Sequence, residues 1–600
     1  MELFYIGVNF GFNASACLIS SKRGVVAAIS QERLNGEKNT KKLPIDAIVQ
    51  CCKEANVNVV DKVVYSHYQK LTKKELVKYC DDSRFEKLVE IINSEFANLK
   101  SAEDIFLELI RKEGIEVKES KMQRIEHHIA HEYSAFATYG KPDKYVTITS
   151  DGFGDGISGR ITLSDEGLKG TMSEVPLRSS IALVYQFVTG ALGYKMHQHE
   201  GKITGLAAFG NPMYVGSFFD LFETQNGFGN GLKLKDNEDI LDEEDEKLIC
   251  ENAQIIDFKG FQMLKKSVFK LVNDLRECSA KVEDIAASLQ EFTEIATTNW
   301  IKDKLHDVLL ENDLVGKIPC YLAGGLFANV KLNQRVHEMG LFSEVHVSPA
   351  MGDEGTCIGA ATKAMWHDLF ERHEDICRFV DDSTKNIFVG SDIFRNFDEI
   401  KKMLDSKSDE CKYKIFEKPD DLMDEIAESL ANKKIVCLCR DKMEFGPRAL
   451  CHRSILYDCT DASVNDWLNK QLGRTEFMPF APVTLEKHFD ELFENTSGAV
   501  ETSRFMTMTF DCKDEFVNEY PAACHIDKTA RPQIVNERTD EFMAKVLGKY
   551  EEKTGKKVLI NTSFNLHNYP IIESPFVAID SWLKSNTHVL VVGNYFVERK

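Results

Sequence analysis

Three of the chain's 16 histidines fall within five residues: His127, His128 and His131 in "RIEHHIAHEYSAFATYG". On a helix His127 and His131 stand at i and i+4, so both imidazoles project from one face at a spacing that can chelate a metal. A bare His-x-x-x-His is structural more often than not. Two acidic turns in glycine-rich surroundings favour the metal here, "SDGFGDG" with Asp151 and Asp155, and "GDEG" with Asp353 and Glu354. Two imidazoles with one or two carboxylates suit a borderline divalent ion such as iron, manganese or zinc. His128 faces elsewhere on such a helix and is assigned to packing or to support of the ligands.

A second set is basic. The segments "DKMEFGPRALCHRSILYD", "GRTEFMPFAPV", "DKTARPQIV" and "VLINTSFNLHNYPII" bring Arg448, Arg453, Arg474 and Arg531, with Asn561, Thr562 and Ser563 after an apolar strand. Arg448 and Arg531 sit beside proline, and arginines held in this way suit bidentate grip on a small oxyanion. The plain alternative is pairing with the chain's many carboxylates, but four such segments in succession favour anion binding. In "IPCYLAGGLFANVKLNQRV" a strand, Gly324-Gly325 and a helix beginning near Asn329 offer backbone amides to an anion. With Gly152 of "SDGFGDG", these residues are the candidate nucleotide contacts of the N-terminal half.

The elements that must position these groups follow from periodicity. "LFYIGVNF", "ASACLIS" and "GVVAAIS" read as three short strands in a β-meander, and "KYVTITSDGFGDGISGRITL" as strand, Asp-Gly turn and strand. Such a recurrence suits the two halves of an actin-like ATPase fold, although Asp-Gly is also a common hairpin turn. Ile285, Ala286, Leu289, Phe292 and Ile295 follow helical spacing, so residues 259–312 are expected to be helical packing. The charged stretch from Glu371 to Asn386 marks a boundary, after which "NIFVGSDIF" opens a second α/β unit that ends in "HVLVVGNYFV". The expected units are residues 1–370 and 386–600.

Composition narrows the partners. Six hundred residues exceed one hydrophobic core. The 74 Lys and Arg against 95 Asp and Glu leave a net charge of -21, which repels a polyphosphate and argues against nucleic acid. The acidic run from Asp236 to Leu248 reads as a solvated surface segment. No export signal or apolar run of membrane length is present, so a cytoplasmic protein is expected. The 16 cysteines are scattered without zinc-type spacing and are expected to be reduced thiols, mostly in the core.

In order along the chain, "HHIAHEYSAF", "SDGFGDG", "EGKITGLAAFG", "GGLFANVKLN", "GDEGTCIGAA", "MEFGPRAL", "GRTEFMPFAPV", "RPQIV" and "NTSFN" resemble the carbamoyltransferase family of tobramycin, cephalosporin and nodulation-factor O-carbamoyltransferases. The resemblance implies an N-terminal actin-like (ASKHA-type) two-lobed domain followed by a C-terminal YrdC-like α/β domain. It implies that carbamoyl phosphate and ATP give carbamoyl-adenylate and pyrophosphate in the second domain, and that the carbamoyl group then passes to a hydroxyl of a small sugar or natural product in the first. ATP with Mg2+, and Fe2+ or another divalent ion, are the implied cofactors. The iron-type site maps to His127, His131, Asp151 and Asp353. Arg448, Arg474, Arg531 and Asn561 to Ser563 map to carbamoyl phosphate and ATP, with Arg440 and Lys442 as neighbours, and Lys38 in "QERLNGEKNTKKLP" to a phosphate contact. A homodimer is left open.

One departure stands out. In "VNFGFNASACLI" the family usually has His immediately before the Asp or Asn, and this chain has Phe12 before Asn13. Phenylalanine cannot act as the general base for an acceptor hydroxyl. A metal-polarised acceptor, an amine acceptor, or a substitute base in "KMHQHEGKITG" would each answer, and His199 is preferred over His197. A threonylcarbamoyl-adenosine tRNA-modifying fusion would need a basic tract, and none stands out. A non-catalytic ATP-binding actin-like protein would leave the C-terminal arginines unexplained.

Overall fold

The computed structural model describes residues 2–93, 100–165, 168–223, 232–235, 238–252, 255–374, 383–471 and 480–600. The opening meander is present as β1 (Phe4–Asn9), β2 (Ser15–Ser20) and β3 (Gly24–Ser30). These strands are buried almost throughout instead of alternating, as befits a sheet covered on both faces. The short helix α1 (Gln31–Asn35) follows, then β4 (Lys62–Ser66) and β5 (Gln123–Ile125) add in parallel, giving the order β3-β2-β1-β4-β5.

After helix α2 (His127–Tyr139) the pattern repeats. β6 (Tyr145–Gly154), β7 (Ile157–Asp165) and β8 (Leu168–Pro176) form a second antiparallel meander. The turn at Asp155-Gly156 has both φ angles positive, 54° and 86°, as a type I′ hairpin requires. β9 (Cys320–Ala323) and β10 (Val345–Val347) complete the order β8-β7-β6-β9-β10. Two lobes of one topology are therefore present, the duplicated actin-like arrangement. The expected helical stretch is two helices, Phe258–Glu277 and Val282–Glu311, with Ile285, Leu289 and Phe292 fully buried.

Between the lobes α2 packs against α3 (Thr356–Glu371). A Cβ on Gly359 would lie 1.7 Å from the Ala130 carbonyl oxygen, and one on Gly7 2.0 Å from that of Cys357. Glycine at both positions lets α3 lie directly on α2 and on β1. Tyr5, Val64, Ala130, Phe136, Tyr321 and Ala361 share the resulting core, which draws on both lobes.

The boundary stretch lies partly outside the described residues, at 375–382. Beyond it β11 (Phe388–Asp392) pairs with β14 (Lys442–Glu444) as a separate ribbon. The large C-terminal sheet is mixed and eight-stranded. Its strands are β12 (Cys411–Ile415), β13 (Val436–Cys439), β15 (Arg453–Asp458), β16 (Ala481–Leu485), β17 (Gln533–Val535), β18 (Val558–Ser563), β19 (Val589–Val592) and β20 (Tyr595–Arg599), in the order β12-β20-β19-β13-β15-β18-β16-β17. Helices Pro419–Ala431 and Glu541–Thr554 cover one face.

This unit is docked on the second lobe. Val347 N donates to Thr502 Oγ1 at 3.0 Å, Asn333 Nδ2 to the Thr507 carbonyl at 2.7 Å, and Thr509 Oγ1 to Gln334 Oε1 at 2.8 Å. Every described cysteine is a free thiol and most are buried. Among the described residues no helix is long and apolar enough to cross a membrane.

Candidate metal centre and the cleft around it

The start of α2 is built by charge. Glu126 caps the helix, its carboxylate accepting from His128 N at 3.1 Å and Ile129 N at 2.8 Å. Asp155 of the hairpin turn accepts from His127 N at 2.9 Å and pairs with Arg124. His128 points away from its two neighbours, with Nδ1 2.9 Å from Thr149 Oγ1 and Nε2 3.2 Å from the Ile157 carbonyl, so it pins α2 to the second sheet.

On the opposite side His127 and His131 are buried, 1% and 0% exposed, and their Nε2 atoms approach to 3.2 Å. His131 Nε2 stands 3.0 Å from Asp151 Oδ2 and 3.5 Å from Asp353 Oδ1; His127 Nε2 stands 3.5 and 3.6 Å from the same atoms. The ligand atoms of the four residues all lie within 4.8 Å of one another. Asp353 Oδ1 makes no hydrogen bond although it is buried. Two imidazoles and two carboxylates aimed at one point, with an oxygen unsatisfied there, fit a divalent ion. Each Nδ1 is buried without a partner, whereas metal-bound imidazoles usually donate that proton to an acceptor.

The charges are strongly coupled. Burial works against protonation of His131, but Asp151 and Asp353 overcome it and push it up to about 9. Burial also opposes ionisation of Asp151, yet His127 and His131 hold it well below the usual carboxylate range. Asp353 is raised, by burial and then by Asp151. A divalent cation in the middle would favour the ionised carboxylates and neutral imidazoles over these protons.

The glycines assigned to nucleotide crowd this same point. Gly152 N donates to Asp151 Oδ1 at 2.6 Å, and a Cβ on Gly325 would lie 2.9 Å from that oxygen. Gly324 has φ 105°, and a Cβ there would lie 2.1 Å from the Ser150 carbonyl oxygen. Asn329 caps the helix Val330–Glu338 through Leu332 N at 3.1 Å and donates to Gln290 Oε1 at 2.8 Å.

On the first lobe Asn13, at φ 54°, donates from Nδ2 to Glu354 Oε2 at 3.3 Å. Glu354 is buried and pushed up to about 7, chiefly by burial, with Asp353 and Glu32 adding to it. Phe12 stacks on His197 at 4.0 Å and 20°, with Lys41 Nζ 3.4 Å from the ring centroid. The structure thus brings His197 to Phe12. The Nδ1 of His199 accepts from Lys195 N at 3.2 Å, at the start of helix Glu200–Ala207. Lys38 is exposed after α1, and its neighbour Asn39 donates to the His197 carbonyl at 3.3 Å.

The described C-terminal residues are held by different partners. The Arg440 guanidinium is spent on Asp540, on Asp441 at 2.8 Å and on the Cys451 carbonyl at 3.0 Å, 4.7 Å from the Phe542 ring centroid. With Lys442 and His452 it lines a pocket of ≈ 370 Å³. Asn561 is buried, donating to Gln533 Oε1 at 2.6 Å and to the Ala449 carbonyl at 3.1 Å; Thr562 and Ser563 follow half-buried, and Ser563 Oγ reaches Asn565 Oδ1 at 2.6 Å. The charges of Arg531 and Lys331 add to burial in lowering His525. Arg453 is a fully buried pin whose guanidinium donates to the carbonyls of Arg440, Ser391 and Asp441. Arg474 lies outside the described residues.

Arg448 leaves this set altogether. Its loop enters the N-terminal half, where Arg33 Nη2 donates to the Gly446 carbonyl at 3.1 Å and Arg448 Nη2 to the Ala328 carbonyl at 3.4 Å. Burial lowers Arg448 to about 10 against the pull of Glu354, and its Nε has no partner. Glu32, Arg33 and Glu354 stand in quoted motifs, but only the fold gives them a place here: Arg33 pairs with Glu32 and holds the Gly446 carbonyl, and Glu354 acts on Arg448.

Two family profiles together cover most of the molecule: carbamoyltransferase N-terminus over residues 5–362 and carbamoyltransferase C-terminus over residues 427–599. The chain belongs to the carbamoyltransferase family. It is 27% identical to nodulation protein NolNO of Sinorhizobium fredii, over 96% of this chain and 77% of that one. It is 31% identical to an uncharacterized protein of Methanocaldococcus jannaschii, over 82% and 76%. Full-length HypF in a phosphate- and nucleotide-bound form aligns at 13% identity and a TM-score of 0.31, over 62% of this chain and 56% of that one. This carbamoyltransferase carries its four-residue cluster within the segment matched to the N-terminal profile and its Arg440 to Ser563 set within that of the C-terminal one.

Proposed function

We propose that this carbamoyltransferase works in two steps divided between residues 386–600, as a YrdC-like unit, and residues 1–370. In the first unit carbamoyl phosphate and water give carbamate and phosphate, and carbamate attacks the α-phosphorus of Mg-ATP, forming carbamoyl-adenylate and releasing pyrophosphate. In the second unit an acceptor hydroxyl attacks the carbamoyl carbon, and AMP leaves.

The observation that carries this reading is the convergence of His127, His131, Asp151 and Asp353 within 4.8 Å in a cleft that Arg448 enters from the other unit. Those four residues would hold Fe2+ or a similar divalent ion, which supplies a Lewis acid for a carbamoyl oxygen. Arg448, facing Glu354 with spare N–H groups, holds the phosphate of the adenylate as it arrives. Asn13 and Glu354 fix the first-lobe wall, and the Phe12-His197 stack excludes water from the place where the family usually has a histidine. Arg531 and the Thr562-Ser563 stretch belong to the adenylating step.

Separate assays of pyrophosphate release and of carbamoyl gain by a hydroxylated metabolite library test the division. Arg531→Ala should stop pyrophosphate release. His131→Ala should leave it and abolish transfer; an Arg531→Ala enzyme with normal release would break the scheme.

A further inference from the structure

We propose that Cys512 and Cys524 are a redox modification site, a dithiol that a low-molecular-weight disulfide oxidises to an intramolecular cross-link, and that the cross-link fastens the turn carrying Asp527. Phe510 and Asp511 pair antiparallel with Ala530 and Thr529, and Cys512 N continues this ladder to the Lys528 carbonyl at 2.9 Å. After helix Asp514–Glu519 the chain returns to the same strand, where His525 N donates to the Thr529 carbonyl at 2.8 Å and His525 Nδ1 lies 3.1 Å from Thr529 Oγ1. Cys512 is therefore held at Lys528, and Cys524 directly precedes the residue held at Thr529. The two thiols meet in a hydrogen bond, and both are half-buried. Neither belongs to the metal cluster.

The two sulfurs take different parts. The Cys512 S–H donates to Cys524 and holds that thiol below its ordinary range, against burial and Asp527 and with Lys528 adding; the same bond, with burial, raises Cys512. The thiolate is the nucleophile in thiol–disulfide exchange, so Cys524 attacks first. It displaces one glutathione thiolate from glutathione disulfide and is left as a mixed disulfide. Cys512, giving its proton to water, then attacks the Cys524 sulfur and displaces the second. The protein thiols give up two electrons and two protons, and the small disulfide leaves as two thiols. Cys17 and Cys357 also meet in a hydrogen bond, but both are 0% exposed and no such reagent reaches them. Asp527 accepts from Thr529 N at 3.1 Å and pairs with Lys331 of the N-terminal half. Closing the sulfurs to a bond of about 2 Å ties the turn under that ion pair to the Phe510–Cys512 strand and restrains its local opening.

Treating the full-length protein with glutathione disulfide, blocking residual thiols with iodoacetamide and mapping peptides by mass spectrometry reads the site without turnover. The peptides holding Cys512 and Cys524 should appear joined and lighter by two hydrogens, dithiothreitol should separate them, and Cys17 and Cys357 should stay unlinked. Amide hydrogen exchange over residues 525–529 should slow about threefold or more in the joined form. Cys512→Ser should trap one glutathionyl group on Cys524, whereas Cys524→Ser should leave Cys512 unmodified; the opposite pattern would overturn the order of attack. The unsubstituted protein decides the site itself if either variant does not fold. No link between Cys512 and Cys524, or a link that leaves exchange over 525–529 unchanged, would overturn the inference.

Discussion

In the proposed scheme His127 and His131 hold the ion that serves carbamoyl transfer, and their geometry makes a stoichiometric claim. The purified enzyme should carry one tightly held divalent ion per chain, and the double change His127→Ala, His131→Ala should reduce it to background by elemental analysis. Full occupancy in the double variant would place the metal elsewhere. Phe12 makes a second claim at this scale. Because its ring is covered by His197, while His199 is tied to Lys195 N, His197→Ala should slow carbamoyl transfer more than His199→Ala does. Rates of the two variants on one acceptor settle the order.

At the scale of elements, the site depends on how closely α3 lies on α2. A Cβ on Gly359 would meet the Ala130 carbonyl at 1.7 Å, backbone that cannot step aside alone. Gly359→Ala should therefore destabilise by about 1–3 kcal/mol, as overpacking does, and should weaken metal retention because His127 and His131 ride on α2. Denaturant unfolding with metal analysis of the same sample checks both. The docked C-terminal segment carries a pH dependence at His525, which burial lowers to about 4, with Arg531 and Lys331 adding and Asp527 opposing. A histidine whose folded pKa lies below its unfolded value gives full stability above about 6.5, and loses it as pH falls towards 4 because only the unfolded chain takes up the proton. His525→Asn should show a shallower fall in Tm between pH 6.5 and 4 than the natural chain, and parallel curves would exclude His525 as the cause.

For the whole molecule, the decisive contact is the entry of the Gly446 to Arg448 loop into the N-terminal cleft. Arg448 is covalently part of the C-terminal unit and spatially part of the metal-side wall, which suits a group that receives an intermediate made next door. Arg448→Ala should leave pyrophosphate release within about threefold and lower transfer at least tenfold; loss of release would return Arg448 to the adenylating step. Lys331 and Asp527 form an ion pair between the same two halves, so the docking is held at more than one place.

The sequence by itself determined what local pattern can carry. The meander, the Asp155-Gly156 hairpin, the helices about residues 259–312 and the His127-His131 pair follow from alternation, turn chemistry and helical spacing, all of which act over a few residues. It also determined the family, because ordered motifs span nearly the full length. Tertiary structure alone decided which distant groups meet. The motifs named Asp151 and Asp353 beside the histidines, but their meeting at one point follows from the second sheet, whose parallel strands β6, β9 and β10 place both carboxylates at the start of α2. Arg440 and Arg453 look like Arg448 in sequence, yet they are consumed by Asp540 and by buried carbonyls, while Arg448 is carried across the interface to Glu354. An arginine's role is set by the partner that neutralises it in the desolvated site, and that partner lies 100 residues away for Arg440 and in the other unit for Arg448.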